Sequence, residues 1–180
     1  MIDRQLIVDR ILGGSGIPAG QLAPEGLGGH VAALAADASD PAQAKALLAE
    51  AGLADGFEVV MDHPSASPHG DIAQAVQADL GQVGIRVRLL AAEGRQVISK
   101  TRARQHQLAL LTWGSDYFDP NTNAGPFCVN TDNGPESRNR TLAWRSAWQD
   151  RELTEQALAA VVEADAERRL RLYERMQRDH

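Results

Sequence analysis

The sequence has few of the features typical of disulfide-rich, membrane-spanning or nucleic-acid-binding proteins. Cys128 is its only cysteine, so no disulfide forms within the chain and a cysteine-rich metal site is excluded. No apolar run approaches the length of about 18 residues that a membrane-spanning helix needs. Lysine and arginine number 18 against 24 aspartates and glutamates, and this acidic balance argues against nucleic acid as a partner, since phosphate binding draws on a basic surface.

The amino terminus also lacks the pattern of a secretion signal. MIDRQLIVDRILGG places acidic residues inside its apolar stretch, where a signal peptide has a basic flank followed by a uniformly apolar core. We therefore expect no signal peptide in this chain. The 180 residues, 43% hydrophobic and 23% charged, are typical of one globular domain that needs neither a disulfide nor a structural metal.

Hydrophobic periodicity predicts alternating helices and strands before residue 113. Apolar residues recur at helical spacing from about His69 to Val83, and the alternating run Ile85 to Leu89 follows. Asp40 before Pro41 is typical of a helix start. The full predicted order is helix 3–12, loop 13–29, helix 40–52, strand 57–61, loop 62–68, helix 69–83, strand 85–89, helix 95–104 and strand 108–112. Because strands that alternate with helices pair in parallel through crossovers, we expect an α/β fold with a mostly parallel sheet flanked by helices.

The remainder of the chain begins with a long segment of weak periodicity. Residues 113–140 are rich in Asp, Asn, Pro and Gly, and irregular segments of this length are usually functional or disordered. Trp144 and Trp148, four residues apart, predict one helix face. Amphipathic helices are predicted over 152–162 and 166–178.

Two loops are candidates for a binding site, because ligands of open α/β sheets lie beyond the carboxyl ends of the strands. One covers residues 62–69 and the other residues 113–130. The second combines aromatic surface at Trp113, Tyr117 and Phe118 with the carboxylates of Asp116 and Asp119, which suits an organic cation with an apolar body. Asp119, which precedes a proline, is interpreted as a residue that shapes the loop.

Signals of catalysis are weak. His69, Asp71 and Asp116 provide an alternative hypothesis, a metal-dependent hydrolase, but no spacing such as His-Glu-x-x-His accompanies them. The sequence contains no G-x-S-x-G motif, and no nucleophile signature surrounds Cys128. We expect no catalysis, no cofactor and no metal.

Four stretches carry a family resemblance: IDRQLIVDRILGGSGIPA at 2–19, DPAQAKALLAEAGLADGF at 40–57, AVQADLGQVGIRVRL at 75–89 and WGSDYFDP at 113–120. The second is the most specific, because Asp-Pro, Ala-Lys, Leu-Leu and Glu-Ala-Gly occur together in the family's order and spacing. With these stretches the chain resembles the extracellular solute-binding proteins of family 5, the peptide, dipeptide and nickel class that serves ABC importers. The resemblance spans residues 2–180.

The resemblance implies a periplasmic-binding-protein-like lobe, one half of a clamp that closes on a solute and delivers it to an ABC importer permease in the membrane. We expect residues 1–180 to form only the carboxyl-terminal lobe, with the first lobe and the terminal return segment absent. The implied location of the full-length protein is periplasmic or extracytoplasmic. A further hypothesis is self-association, because a lobe without its partner segments exposes apolar surface.

The resemblance also implies roles for individual residues. In peptide-binding relatives, an aspartate in the loop that matches WGSDYFDP pairs with the α-amino group of the ligand, and the matching residue here is Asp116. Trp113 and Tyr117 would then line the binding cleft. The expected solute is a peptide or a similar cationic organic molecule.

Overall fold

The computed structural model describes residues 1–34, 36 and 38–180 of the protein. Its internal contacts divide the chain into two units, each built from two stretches of sequence. Unit 1 consists of Met1–Pro18 and Asp37–Thr112, and unit 2 consists of Ala19–Ala36 and Trp113–His180. The expectation of one lobe over residues 1–180 stays a prediction.

A parallel β-sheet lies at the centre of unit 1. Within the described residues it has three strands in the order β2-β1-β3: β1 (Phe57–Pro64), β2 (Ile85–Ala92) and β3 (Leu108–Ala109). The register pairs Phe57 of β1 with Ile85 of β2, and Met61 of β1 with Leu108 of β3. Helix α3 (His69–Gly81) connects β1 to β2, and helix α4 (Gly94–Arg102) connects β2 to β3. The predicted α/β fold with a parallel sheet and flanking helices is confirmed.

Alternation along β2 explains which face of the sheet is covered. Ile85 and Val87 are buried, whereas Arg86 and Arg88 between and beside them are exposed. Because successive side chains of a strand point to opposite faces, this pattern commits one face of the sheet to the core. The buried residues of that core are Met61, Ala73, Leu80, Val83, Ile85 and Val87.

The amino-terminal part of unit 1 contains α2, whose two ends follow from the sequence, and a shorter helical segment before it. In α2 (Pro41–Glu50), the Asp40 side chain accepts a hydrogen bond from the backbone N–H of Gln43 at 2.9 Å, as expected for an N-cap. Gly52 follows the helix with a φ of +75°, which glycine adopts without strain. The helix predicted over residues 3–12 forms in two pieces, α1 (Arg4–Leu6) and a π-helical turn at Ile7–Ile11.

Unit 2 is helical. Its helices are α5 (Asn121–Cys128), α6 (Leu142–Arg145), α7 (Arg151–Val162) and α8 (Ala166–Asp179). Tyr173 and Met176 of α8 pack with Leu153 and Ala157 of α7 and with Cys128 of α5 in one buried cluster. Burial raises the pKa of the Cys128 thiol to about 12, so the sulfur stays protonated at neutral pH and serves as a core side chain.

The strands differ in length from the prediction. β1 runs on through Asp62, His63 and Pro64, which were expected in the loop 62–68, because the end of β2 continues beside them. β2 likewise extends to Ala92. The third strand is confined to Leu108–Ala109 instead of covering 108–112.

The carboxyl-terminal half also departs from the prediction. Helix α5 lies inside the segment 113–140 that was expected to be irregular. Helix α6 ends at Arg145, so Trp148 does not share a helix face with Trp144, and a φ of +54° at Ala147 turns the chain away before Trp148. The helices predicted over 152–162 and 166–178 are confirmed by α7 and α8. Across the described residues, no helix combines the length and the apolar character needed to cross a membrane.

Candidate functional site

The candidate loop predicted over residues 113–130 lies in unit 2. Only its first part, residues 113–120, is irregular, because α5 (Asn121–Cys128) forms most of the rest. At its start, the indole N–H of Trp113 donates to Oδ1 of Asn123 at 2.9 Å. The Trp113 ring packs edge-on against Phe127, with centroids 5.6 Å apart. These contacts fix the ring, yet Trp113 remains 40% exposed and keeps apolar surface for a ligand.

Asn123 is the residue that holds the start of the loop. Its side-chain oxygen accepts from Trp113 and, at 3.4 Å, from the hydroxyl of Ser115, and its side-chain amide donates to the carbonyl of Leu22 at 2.6 Å. A buried asparagine needs such partners, because an unpaired amide would lose its hydrogen bonds to water. Nothing in the sequence distinguishes Asn123 from the other polar residues of the segment 113–140, so its role could not be predicted.

Asp116 combines a fixed backbone with a free carboxylate. Its backbone N–H donates to the hydroxyl of the buried Thr122 at 3.0 Å. The residue is exposed, and its carboxylate makes no hydrogen bond or ion pair with any residue that the structure describes. The carboxylate is therefore available to a cation from solution.

Aromatic surface lies next to Asp116 in the sequence of the loop. Tyr117 is 51% exposed, and its phenol oxygen accepts from the side-chain amide of Asn121 at 3.2 Å. Phe118 is 85% exposed. The loop thus presents a carboxylate together with accessible rings, which is the combination that the sequence predicted.

The carboxylate of Asp119 forms hydrogen bonds and an ion pair within the protein. Both of its carboxylate oxygens accept from the guanidinium of Arg169 on α8, at 2.6 and 2.8 Å, and one also accepts from the backbone N–H of Asn121 at 2.8 Å. The hydrogen bonds from Arg169 hold the pKa of Asp119 below its usual range. The interpretation of Asp119 as a loop-shaping residue is confirmed.

This ion pair predicts an acid-dependent contribution to stability. A carboxylate whose pKa is lower in the folded state stabilises the fold above its unfolded pKa and loses that contribution as pH falls through the folded pKa. We expect Asp119→Asn to lower the free energy of unfolding by about 1 kcal/mol at pH 7, because the pair is partly exposed. The difference from wild type should shrink below pH 4, as urea denaturation at pH 7 and pH 3 would show; a difference that is the same at both pH values would contradict this account.

The residues of the hydrolase alternative, His69, Asp71 and Asp116, do not form a metal site among the described residues. Nδ1 of His69 lies 3.1 Å from the carbonyl oxygen of Ala66, and Nε2 lies 3.0 Å from the hydroxyl of Thr112, so both ring nitrogens have partners within unit 1. Asp71 lies in the first turn of α3. Among the described residues, no group of three His, Cys, Asp or Glu side chains is arranged to hold a metal ion. No observation favours the hydrolase hypothesis.

Unit 1 contains a buried ion pair between residues far apart in the sequence, which no sequence pattern predicted. Asp62, near the carboxyl end of β1, is 2% exposed, and both of its carboxylate oxygens accept from Nζ of Lys100 on α4, at 2.7 and 2.8 Å. The predicted loop 62–69 therefore begins with a buried structural carboxylate and not with an accessible one.

Comparisons with known proteins place these features in a family context. The family model described as bacterial extracellular solute-binding proteins, family 5 Middle, matches residues 1–135. Di/tripeptide-binding protein 2 of Pseudomonas aeruginosa is 32% identical over 147 residues, which cover 77% of this chain and 26% of the relative. The dipeptide-binding protein of Escherichia coli is 28% identical over 124 residues, 66% of this chain and 23% of the relative.

Solved structures share the fold. The periplasmic binding protein DppA of Helicobacter pylori, solved with the peptide STSA, superposes with a TM-score of 0.89 at 22% identity, over 99% of this chain and 34% of that chain. A dipeptide-binding protein of Pseudoalteromonas, solved with Met-Leu, gives a TM-score of 0.80 at 23% identity, over 98% and 34%. The chain spans about a quarter to a third of the length of the relatives it matches.

Proposed function

Since the chain belongs to the bacterial extracellular solute-binding proteins of family 5, we propose that it forms part of the substrate-binding component of an ABC importer. The proposed solute is a peptide or a similar cationic organic molecule. The family is described as bacterial extracellular solute-binding proteins, and DppA of Helicobacter pylori is a periplasmic binding protein. On this proposal the protein acts outside the cytoplasm, performs no catalysis, and passes its solute to a permease in the membrane.

We assign residues 1–180 to the carboxyl-terminal lobe of a two-lobed binding protein. Support comes from the superposition of almost the whole chain on about a third of each solved binding protein. Support also comes from the parallel sheet of unit 1, because the family resemblance implies an α/β lobe. The second lobe would close over a solute bound at this one.

Asp116 is the proposed anchor for the ammonium group of the solute. The observation that carries this assignment is the free, exposed carboxylate on a loop whose backbone is held by Thr122. A carboxylate and an ammonium group about 4 Å apart attract each other by about 1 kcal/mol in water and about 4 kcal/mol at an effective dielectric constant of about 20. Closure of a binding cleft would therefore strengthen the pair, although desolvation offsets part of the gain.

Trp113 and Tyr117 are the proposed walls beside this anchor. Both rings are partly exposed, and both are held by side-chain amides of α5, Asn123 and Asn121 respectively. Rings fixed in this way offer apolar surface without losing much side-chain entropy on binding. They would contact the apolar part of the solute next to its ammonium group.

The test is Asp116→Asn, which removes the charge and keeps the size of the side chain. We expect the dissociation constant for alanyl-alanine to rise about tenfold, since one partly exposed charge pair is worth about 1 kcal/mol or somewhat more. N-acetyl-alanyl-alanine, which has no ammonium group, should bind wild type and variant equally weakly. Titrations followed by NMR measure both constants even when binding is weak.

Glu136→Gln is the matched control, because Glu136 is an exposed carboxylate of the same unit outside the loop. It should leave the dissociation constant for alanyl-alanine unchanged. Equal affinities of wild type and Asp116→Asn for alanyl-alanine would overturn the anchor assignment.

A further inference from the structure

The loop 113–120 carries two carboxylates, of which one is unpaired among the described residues and the other forms an ion pair. Asp116 and Asp119 are three residues apart, and Thr122 links them: its hydroxyl accepts from the N–H of Asp116, and its own N–H donates to the carbonyl of Asp119, both at 3.0 Å. The carboxylate of Asp116 has no partner among the described residues, whereas that of Asp119 is paired with Arg169. The guanidinium of Arg169 thus neutralises the charge of Asp119 and leaves the charge of Asp116 unbalanced.

Arg169 is itself held in place by several contacts. Besides the two hydrogen bonds to Asp119, it donates to the carbonyl of Ala160 at 3.0 Å and to the phenol oxygen of Tyr173 at 3.3 Å, and its guanidinium lies 5.1 Å from the Tyr173 ring centroid. The Arg169 side chain is only 25% exposed. A bidentate pair with such support keeps a fixed geometry, unlike a surface ion pair between mobile side chains.

We propose that Arg169 is a specificity-determining residue that sets the charge of the solute this loop accepts. By neutralising Asp119 it leaves Asp116 as the carboxylate available for recognition, so the loop matches a solute with one ammonium group. This inference rests on the proposed function of Asp116. A solute with a second cationic group near the first gains no second partner, and its extra charge must also be desolvated.

The physical basis is a change in local charge. Without Arg169, the loop would present two negative charges and would favour a dication over a monocation. We expect the ratio of the dissociation constants of a monocation and a dication to change by between about twofold and about thirtyfold. These limits correspond to two unit charges roughly 8 Å apart at effective dielectric constants of about 80 and about 20 respectively. Salt screens such interactions, so the effect should be measured at low ionic strength.

The test compares norleucyl-alanine, which has one ammonium group, with lysyl-alanine, which has nearly the same shape and two. Arg169→Gln should shift the ratio of the two dissociation constants toward lysyl-alanine by at least twofold. Asp119→Asn, which leaves the charge of Arg169 unbalanced, should shift the ratio in the opposite direction. The double variant should return the ratio close to its wild-type value.

A purely structural role of Arg169 predicts a different pattern. A loosened loop would weaken both ligands by the same factor in Arg169→Gln and in the double variant, with no change in the ratio; that result would overturn the inference. If Arg169→Gln does not fold, Asp119→Asn alone decides, since an unchanged ratio in it would also overturn the inference. Asp116→Asn measured alongside separates the two proposals: no loss of affinity there would overturn the anchor and this inference together, whereas a loss there with unchanged ratios elsewhere would overturn only the role of Arg169.

Discussion

Gly56→Ala is expected to destabilise unit 1 by about 3 kcal/mol or more. Gly56 has a φ of +71°, and a Cβ added there would lie 2.5 Å from the carbonyl carbon of Gly84 and closer still to its oxygen. Both groups are backbone, so no side chain can rotate away. Gly56 precedes β1 and Gly84 precedes β2, and the added atom would therefore separate the two strands where their pairing begins. The left-handed backbone costs a residue with a Cβ about 1–2 kcal/mol, and overpacking adds about 1–3 kcal/mol.

Gly52→Ala is the matched control for this prediction. Gly52 has nearly the same φ, +75°, but no described atom lies within 4 Å of an added Cβ. Only the backbone strain of about 1–2 kcal/mol remains, so the control isolates the contact with Gly84. Urea denaturation followed by circular dichroism gives both free energies of unfolding. If the two variants lose similar amounts of unfolding free energy, the contact between the added Cβ and Gly84 does not contribute, and the prediction is contradicted.

The helices and strands that could be predicted from the sequence are those whose signals lie within the element itself. The cap at Asp40, the stripe of α3 and the alternation of Ile85 to Leu89 each lie within one element, and each is found in the structure. Their order along the chain was then enough to predict parallel pairing, because a helix between two strands returns the chain in the same direction.

Helix α5 could not be predicted in this way, because its own sequence opposes it. Asn121–Cys128 contains a glycine and a proline, both unfavourable inside a helix. The helix is stabilised by burial of Ala124 and Cys128 against residues of α7 and α8, which lie far along the chain. Tertiary packing here outweighs local propensity.

The candidate site shows the same division. The composition of the loop predicted a carboxylate beside aromatic rings, and the family resemblance then selected Asp116, Trp113 and Tyr117, whose roles stay predictions. The partners that hold the loop were not visible: Arg169 lies 50 residues from Asp119. An isolated Asn123 or Arg169 in a sequence is indistinguishable from a solvated side chain until the fold brings its partner close.

The second large effect is expected at the buried ion pair of unit 1. Lys100→Met should lower the free energy of unfolding by about 2–4 kcal/mol, because it leaves the carboxylate of Asp62 buried without a counter-charge. The estimate lies somewhat below that for fully buried pairs, since the Lys100 side chain is 32% exposed and water can reach part of the site. Arg102→Met, an exposed position on the same helix, is the control and should change stability by less than about 0.5 kcal/mol.

His106 reports on the same pair by an independent measurement. Burial lowers the pKa of His106, the charge of Asp62 raises it, and the charge of Lys100 lowers it. Lys100→Met removes one of the two lowering causes and leaves Asp62 unopposed, so the pKa of His106 should rise if Asp62 stays ionised. An NMR titration of the His106 ring would show this rise. Because the charge of Asp62 raises the pKa of His106 by more than the charge of Lys100 lowers it, a pKa of His106 that falls or stays unchanged in the variant would contradict an unopposed charge on Asp62.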